Sequence, residues 1–385
     1  MLRWFGFLLS FAILSTTIPA CAESKLPLAD PDQPINAALS HDGRYVAFEF
    51  HRVSPDWKYR TRRIIGIYDL ELNRIEMHVP PGKRHMHSPR FSPDGRFLVH
   101  IHYCWETGCG DEEIGTQIAL LHLPDRRTRF LTSSRLSIRS GSGRKRDRRV
   151  LYGEPTFRTD MSEIYFTYAL GPYKDAVGFG NHHESKLLRA AKIGAVNPVS
   201  GTTYLFNEDR RAQFKRIENL NNLDNKIIFS GISTQEPNGN LRENELFHFD
   251  LKNHKYFAMT PKVAPIINSQ ISNGQNRLRD FHISNDGTTL IYEKDGNTHI
   301  YKNSKYSAIS HYELFEDDKK YSGNIEISMS GNGSRIIIWR SNQSDYLWLV
   351  DTSTLGVTQK PFRSLIHRAL AEHNFDARPS SPPPR

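Results

Sequence analysis

Imidazoles are the most concentrated reactive groups in this 385-residue chain, which has 17 histidines. His85-Met86-His87 and His100-Ile101-His102 each set two rings at positions i and i+2, a spacing that places both on one face of a β-strand. Two such pairs on neighbouring strands could offer neutral nitrogens to zinc, manganese or iron. His182-His183-Glu184 is a looser third candidate. None of these spacings is specific to a metal, so packed or solvated histidines are expected and no cofactor is assigned.

Two other groups of residues carry chemistry. Cys104 and Cys109, in Cys-Trp-Glu-Thr-Gly-Cys, are expected to close a small disulfide loop if the chain is exported. A dense cationic run holds Arg126, Arg127, Arg129, Arg135, Arg139, Arg144, Lys145, Arg146, Arg148 and Arg149. Its last five members follow a Gly-Ser-Gly segment and read as a mobile loop between two modules, able to pair with acidic surfaces or simply to stay solvated. Trp57, Tyr59 and Trp105 fall between strands and suit either recognition or packing. Asp-Gly pairs recur without the acidic ladder of a calcium hand, so they cap turns. Gly-x-Ser-x-Gly, His-Glu-x-x-His, Walker and dinucleotide motifs are missing from the sequence, and a non-catalytic role is the preferred reading.

The elements that position these residues follow from a repeat. Phe91-Ser92-Pro93-Asp94-Gly95-Arg96 leads into Phe97-Leu98-Val99, and copies stand at Leu39-Ser40-His41-Asp42-Gly43-Arg44 and Ile283-Ser284-Asn285-Asp286-Gly287. Degenerate copies occur at Thr159-Asp160, Asp224-Asn225-Lys226 and Ser330-Gly331-Asn332-Gly333, each before an apolar run. Asp-Gly between two hydrophobic runs is a hairpin signal, because Gly takes positive φ without a Cβ clash and the carboxylate accepts backbone N–H bonds. Most copies are followed by a second β-rich pair, such as Leu246–Phe249 with Lys255–Phe257. Two hairpins make a four-stranded sheet, and a spacing of roughly 45 to 65 residues is that of propeller blades. The prediction is therefore an all-β, six-bladed β-propeller of four-stranded antiparallel blades over residues 36–362.

With its intact Ser92-Pro93-Asp94-Gly95 signature, the chain resembles the propeller of TolB and its periplasmic relatives. The resemblance implies a six-bladed propeller and a periplasmic location. It covers the propeller alone, since TolB has an α/β domain ahead of its blades, and it implies no role in the Tol machinery. Some propeller lyases of uronic-acid oligosaccharides hold a metal with channel histidines, but their pattern is not recognisable in this sequence.

The ends complete the plan. Residues 1–22, with Arg3, the apolar run Trp4–Leu14 and Ala20-Cys21-Ala22, read as a secretory leader too short to span a bilayer. Ile18-Pro19-Ala20-Cys21 loosely matches a lipoprotein box, which would make Cys21 a lipid anchor, a secondary reading. Residues 23–35 form a linker, 363–378 a short helix with Leu365, Ile366, Ala369 and Leu370 on one face, and 379–385 a disordered tail. No later stretch reads as a transmembrane span.

The formal charge of +9 points to an anionic partner, and export argues against nucleic acid. The expected function is an exported binding platform for an envelope protein or an anionic glycan or lipid surface, with Arg144, Lys145, Arg146, Arg148, Arg149, His85 and His87 as candidate binding residues. Two alternatives are a metal-dependent glycan lyase or hydrolase using channel histidines and an antagonist of an envelope-acting toxin.

Overall fold

The computed structural model describes residues 34–53, 61–79, 84–104, 115–139, 145–172, 192–206, 214–223, 226–233, 245–253, 255–258, 279–303, 305–315, 325–340 and 345–372. Its strands form six antiparallel sheets arranged as propeller blades. Blade 1 is β1 (Pro34–Leu39), β2 (Tyr45–Val53), β3 (Thr61–Asp69) and β4 (Arg74–His78), and blade 2 is β5 (His85–Phe91), β6 (Phe97–Cys104), β7 (Gly115–His122) and β8 (Thr128–Phe130). Blade 3 holds β9 (Arg135–Arg139), β10 (Lys145–Phe157), β11 (Ile164–Pro172), β12 (Lys192–Val196) and β13 (Thr203–Leu205). Blade 4 is β14 (Phe214–Leu223), β15 (Lys226–Ser233), β16 (Glu245–Asp250) and β17 (Lys255–Ala258). Blade 5 is β18 (Arg279–Ile283), β19 (Thr289–Lys294), β20 (Asn297–Lys302) and β21 (Lys305–Ser310), followed by the turn-length helix α1 (His311–Leu314). Blade 6 is β22 (Ile325–Met329), β23 (Arg335–Arg340), β24 (Tyr346–Asp351) and β25 (Val357–Pro361), and α2 (Arg363–Glu372) comes last.

In blades 1, 2, 4, 5 and 6 the first strand in sequence lies at one sheet edge, and these strands together with β10 of blade 3 touch in the cycle β1, β5, β10, β14, β18, β22 and back to β1. These six strands surround the axis. The turns after them share one design. In the Ser-Pro-Asp-Gly copy the Ser92 hydroxyl donates to Asp94 (2.6 Å) and accepts from the Phe97 amide (2.9 Å), while Asp94 accepts from Arg96 N (3.0 Å). Ser40 with Asp42, Ser284 with Asp286 and Ser330 with Asn332 repeat it. Gly43, Gly95, Gly287 and Gly333 all sit at positive φ, the conformation that glycine enters without steric cost. Blade 3 has Met161 there, at φ 61.

Strand pleating explains why the blades stack. Alternate side chains point to opposite faces of a sheet, so β2 sends Val46, Phe48 and Phe50 toward blade 6 and Ala47 toward blade 2. Each of the six seams has its own apolar cluster, from Ile67, Met86 and Leu98 between blades 1 and 2 to Ile291, Ile327 and Ile338 between blades 5 and 6. A blade taken alone would expose two such faces to water.

Blade 1 is built wholly from the start of the described chain and blade 6 wholly from its end, so no described strand is exchanged across their seam. Helix α2 stands in for that exchange. Leu365, Ile366, Ala369 and Leu370 are buried in one cluster with Phe48, Tyr68 and Met77 of blade 1 and Trp339 and Leu347 of blade 6. Phe362, fully buried, meets Phe48 edge-on at 4.9 Å between ring centroids.

One blade is extended and one expectation is corrected. Blade 3 has five strands, because β9 adds to the inner edge of β10. The cationic segment expected as a mobile loop is strand from Lys145 onward, with Lys145 opposite Arg139 and Arg149 opposite Arg135. The alternation Arg135-Leu136-Ser137-Ile138-Arg139 is a strand pattern that the density of charge concealed. Arg144 lies outside the described residues, as do Cys109, Trp57, Tyr59, Trp105, His182-His183-Glu184 and both chain ends. No described helix is long and apolar enough to cross a membrane.

Candidate functional site

Each axial strand contributes one equivalent residue to the channel. Counted by pairing with the second strand of the blade, Ala38 lies opposite Ala47, Arg90 opposite Val99, Thr156 opposite Tyr165, Asn221 opposite Ile228, His282 opposite Ile291 and Ser328 opposite Ile337. In five blades the register slips just before this point, and such bulges re-aim a side chain relative to a regular ladder. All six residues line one axial cavity of about 100 Å³ at the turn face, together with His41, Asn285 and the turn residues Ser92, Ser330 and Gly331.

Ring members also tie blades together. Asn221 Oδ1 accepts from Ile283 N at 3.2 Å, His282 Nε2 donates to the Ile327 carbonyl at 3.0 Å, and Ser328 Oγ accepts from Leu39 N at 3.2 Å. Arg90 reaches Glu154 of blade 3 at 3.5 Å and donates to the Pro89 carbonyl at 2.9 Å. Asn285 Nδ2 lies 3.3 Å from His41 Nδ1, a hydrogen bond between the turns of blades 5 and 1.

Burial pushes the His282 imidazole down to about 4, the Arg90 guanidinium adds to the effect, and the bond to Ile327 opposes it. His282 is therefore neutral at pH 7. The lining thus offers one permanent cation, the neutral His282 imidazole, the His41 ring, amides and hydroxyls, with no carboxylate among the described lining residues. Such a set is chemically suited to a hydrogen-bond acceptor or an anion.

The residues favoured from sequence lie elsewhere. His85 and His87 sit at the start of β5, where His85 stacks on Tyr103 at 4.5 Å and accepts from Arg63 N through Nδ1 at 3.2 Å. His87 meets the same ring edge-on and shares a hydrogen bond with Ser88 Oγ at 3.0 Å. His100 is fully buried, and desolvation foremost, then His102, His78 and His87, hold it well below the ordinary histidine range. These imidazoles gather near the seam of blades 1 and 2, and none lines the axial cavity. Among the described residues no three His, Cys, Asp or Glu side chains are placed to hold a metal ion.

The Lys145–Arg149 backbone is at the start of β10, nine residues before Phe157 for Arg148, so the basic hairpin lies roughly 30 Å along the strand from the turn face. Cys104 is buried at the end of β6. Sequence reasoning passed over Arg90, Asn221, His282 and His41. The usable signal was their offset: Arg90, His282 and Ser328 each stand two residues before a turn serine.

The fold is similar to that of TolB. The TolB structure from Acinetobacter baumannii superposes with a TM-score of 0.46 at 11% identity, over 78% of this chain and 60% of that one. An oligogalacturonate lyase from Vibrio parahaemolyticus gives 0.45 at 10%, over 85% and 77%. The propeller domain of the Trilobed protease from Pyrococcus furiosus, described as having an open velcro topology, gives 0.42 at 13%, over 86% and 84%. No family model and no curated protein matches the sequence.

Proposed function

We propose that this protein is an exported, non-catalytic propeller platform that recognises an envelope protein or anionic envelope component at the turn face of its channel. The observation that carries the reading is the axial cavity: all six blades line it, the one cation among its described lining residues is Arg90, and no described carboxylate lines it. A rigid ring that presents loops from every blade at one face is suited to recognition. The excess of 51 Lys and Arg over 42 Asp and Glu favours an acidic partner. The leader-like residues 1–22 support export, and an oxidising compartment would join Cys104 to Cys109.

Affinity capture from envelope extract tests this. The wild-type protein should recover one dominant partner, and a His41→Ala, Asn285→Ala double variant should lose it, while neutralising Arg148 and Arg149 on the opposite face should not. Recovery of nothing, alongside metal-dependent turnover of an acidic oligosaccharide, would contradict the platform and favour an enzyme.

A further inference from the structure

The size and polarity of the axial cavity narrow what can enter it. At about 100 Å³ it is smaller than the roughly 150 Å³ that encloses a benzene ring, so it can enclose a small terminal group but not a whole sugar ring. Arg90 is about a quarter exposed, and its pairing with Glu154 is loose at 3.5 Å. A guanidinium held this way keeps N–H groups for a second carboxylate, and a fork-to-fork pair formed out of bulk water is among the stronger polar contacts. His41 and the Asn285 amide, hydrogen-bonded to each other, line the same cavity.

We infer that the axial cavity seats one carboxylate of a bound polypeptide, from an acidic side chain or a chain terminus, with Arg90 as its counter-ion. The inference rests on the platform reading and adds the chemistry of the contact. Glu154 then keeps Arg90 oriented when the cavity is empty and shares it when the cavity is filled. A single desolvated carboxylate discriminates sharply, because a partner lacking it leaves Arg90 and the imidazoles without their acceptor.

The test is thermal unfolding of the purified protein at constant chloride with four probes: acetyl-Gly-Glu-Gly-amide, acetyl-Gly-Gly with a free terminus, acetyl-Gly-Gln-Gly-amide and glucuronate. At least one carboxylate peptide should raise the melting temperature saturably while the glutamine peptide does not. Arg90→Gln should weaken that affinity tenfold or more, with Arg90→Lys intermediate. Asn285→Ala, which leaves the Arg90–Glu154 pair intact, should also weaken it and serves if Arg90→Gln fails to fold. Equal effects of the glutamate and glutamine peptides, affinity unchanged in a folded Arg90→Gln, stabilisation by glucuronate alone or by no probe would each overturn the inference. Partner capture that persists in Arg90→Gln while the peptides fail defeats the carboxylate and leaves the platform standing.

Discussion

The Tyr68 hydroxyl donates to the Pro361 carbonyl at 3.0 Å, joining the third strand of blade 1 to the last residue of the last strand of blade 6. Around it, Lys360 Nζ donates to the Leu70 carbonyl at 3.1 Å and Arg335 to the Gly43 carbonyl at 3.1 Å. With no described strand crossing this seam, these side-chain bonds and the packing of α2 join its two sides. Ile366, 1% exposed, is central to that packing. Ile366→Ala should cost about 3 kcal/mol in urea unfolding, and hydrogen exchange should quicken first in β1 and β22. A loss below about 1 kcal/mol would show that the ring closes without its clasp.

Met161 occupies the left-handed turn position that glycine fills in four other blades. A side chain there carries a steric cost of roughly 1–2 kcal/mol, partly offset by the greater freedom of an unfolded glycine. Met161→Gly should therefore stabilise the protein by up to about 1 kcal/mol, measured as a higher urea midpoint at unchanged slope. Destabilisation would mean that the thioether makes packing contacts worth more than the strain.

Glu49 is a fully buried carboxylate on β2 that accepts from Asn36 Nδ2 (3.0 Å) and Ser88 N (3.2 Å) and pairs with Arg63 at 3.2 Å. Ser88 belongs to blade 2, so the carboxylate also bridges a seam. Removing one member of such a set leaves the others poorly satisfied. Glu49→Ala should cost about 3 kcal/mol, and Glu49→Gln, which keeps the shape and loses the charge, should cost less. Equal losses in the two variants would show that keeping the shape saves nothing and that the charge alone matters at this seam.

Acid should loosen the fold through its neutral histidines. Burial, with help from Arg340 and His299, pushes His311 down to about 4, and His282 is at about 4 as well. The unfolded chain takes up protons near the ordinary value of 6.5 while the folded chain does not, so stability is complete above that pH and falls as pH drops toward about 4. His311 alone should account for roughly 3 kcal/mol across that window. Urea unfolding at pH 7.5, 6 and 5 should show the decline, shallower in His311→Gln, whereas stability flat from pH 7.5 to 5 would contradict it.

The ring and its blade number were legible because the Asp-Gly turns obey local steric rules that distant contacts do not alter. A second signature went unread. Asp69, Asn197, Asp250 and Asp351 each accept backbone N–H bonds two and three residues on, in the turn before the outermost strand. That would have marked the blades without relying on Ser-Pro-Asp-Gly. The site was harder, since Arg90 and His282 are 192 positions apart in the sequence and only ring closure brings both to one cavity. His85 and His87 drew notice by local spacing, yet aromatic packing on Tyr103 accounts for their placement.

Hydrogen exchange on the partner-bound protein tests the central claim most directly. The account predicts protection concentrated at the turn face, in residues 38–43, 90–95, 282–287 and 328–333, with the β9–β10 hairpin unchanged. Protection confined to that hairpin or to the outer strands, with the axial turns exchanging as in the free protein, would contradict it.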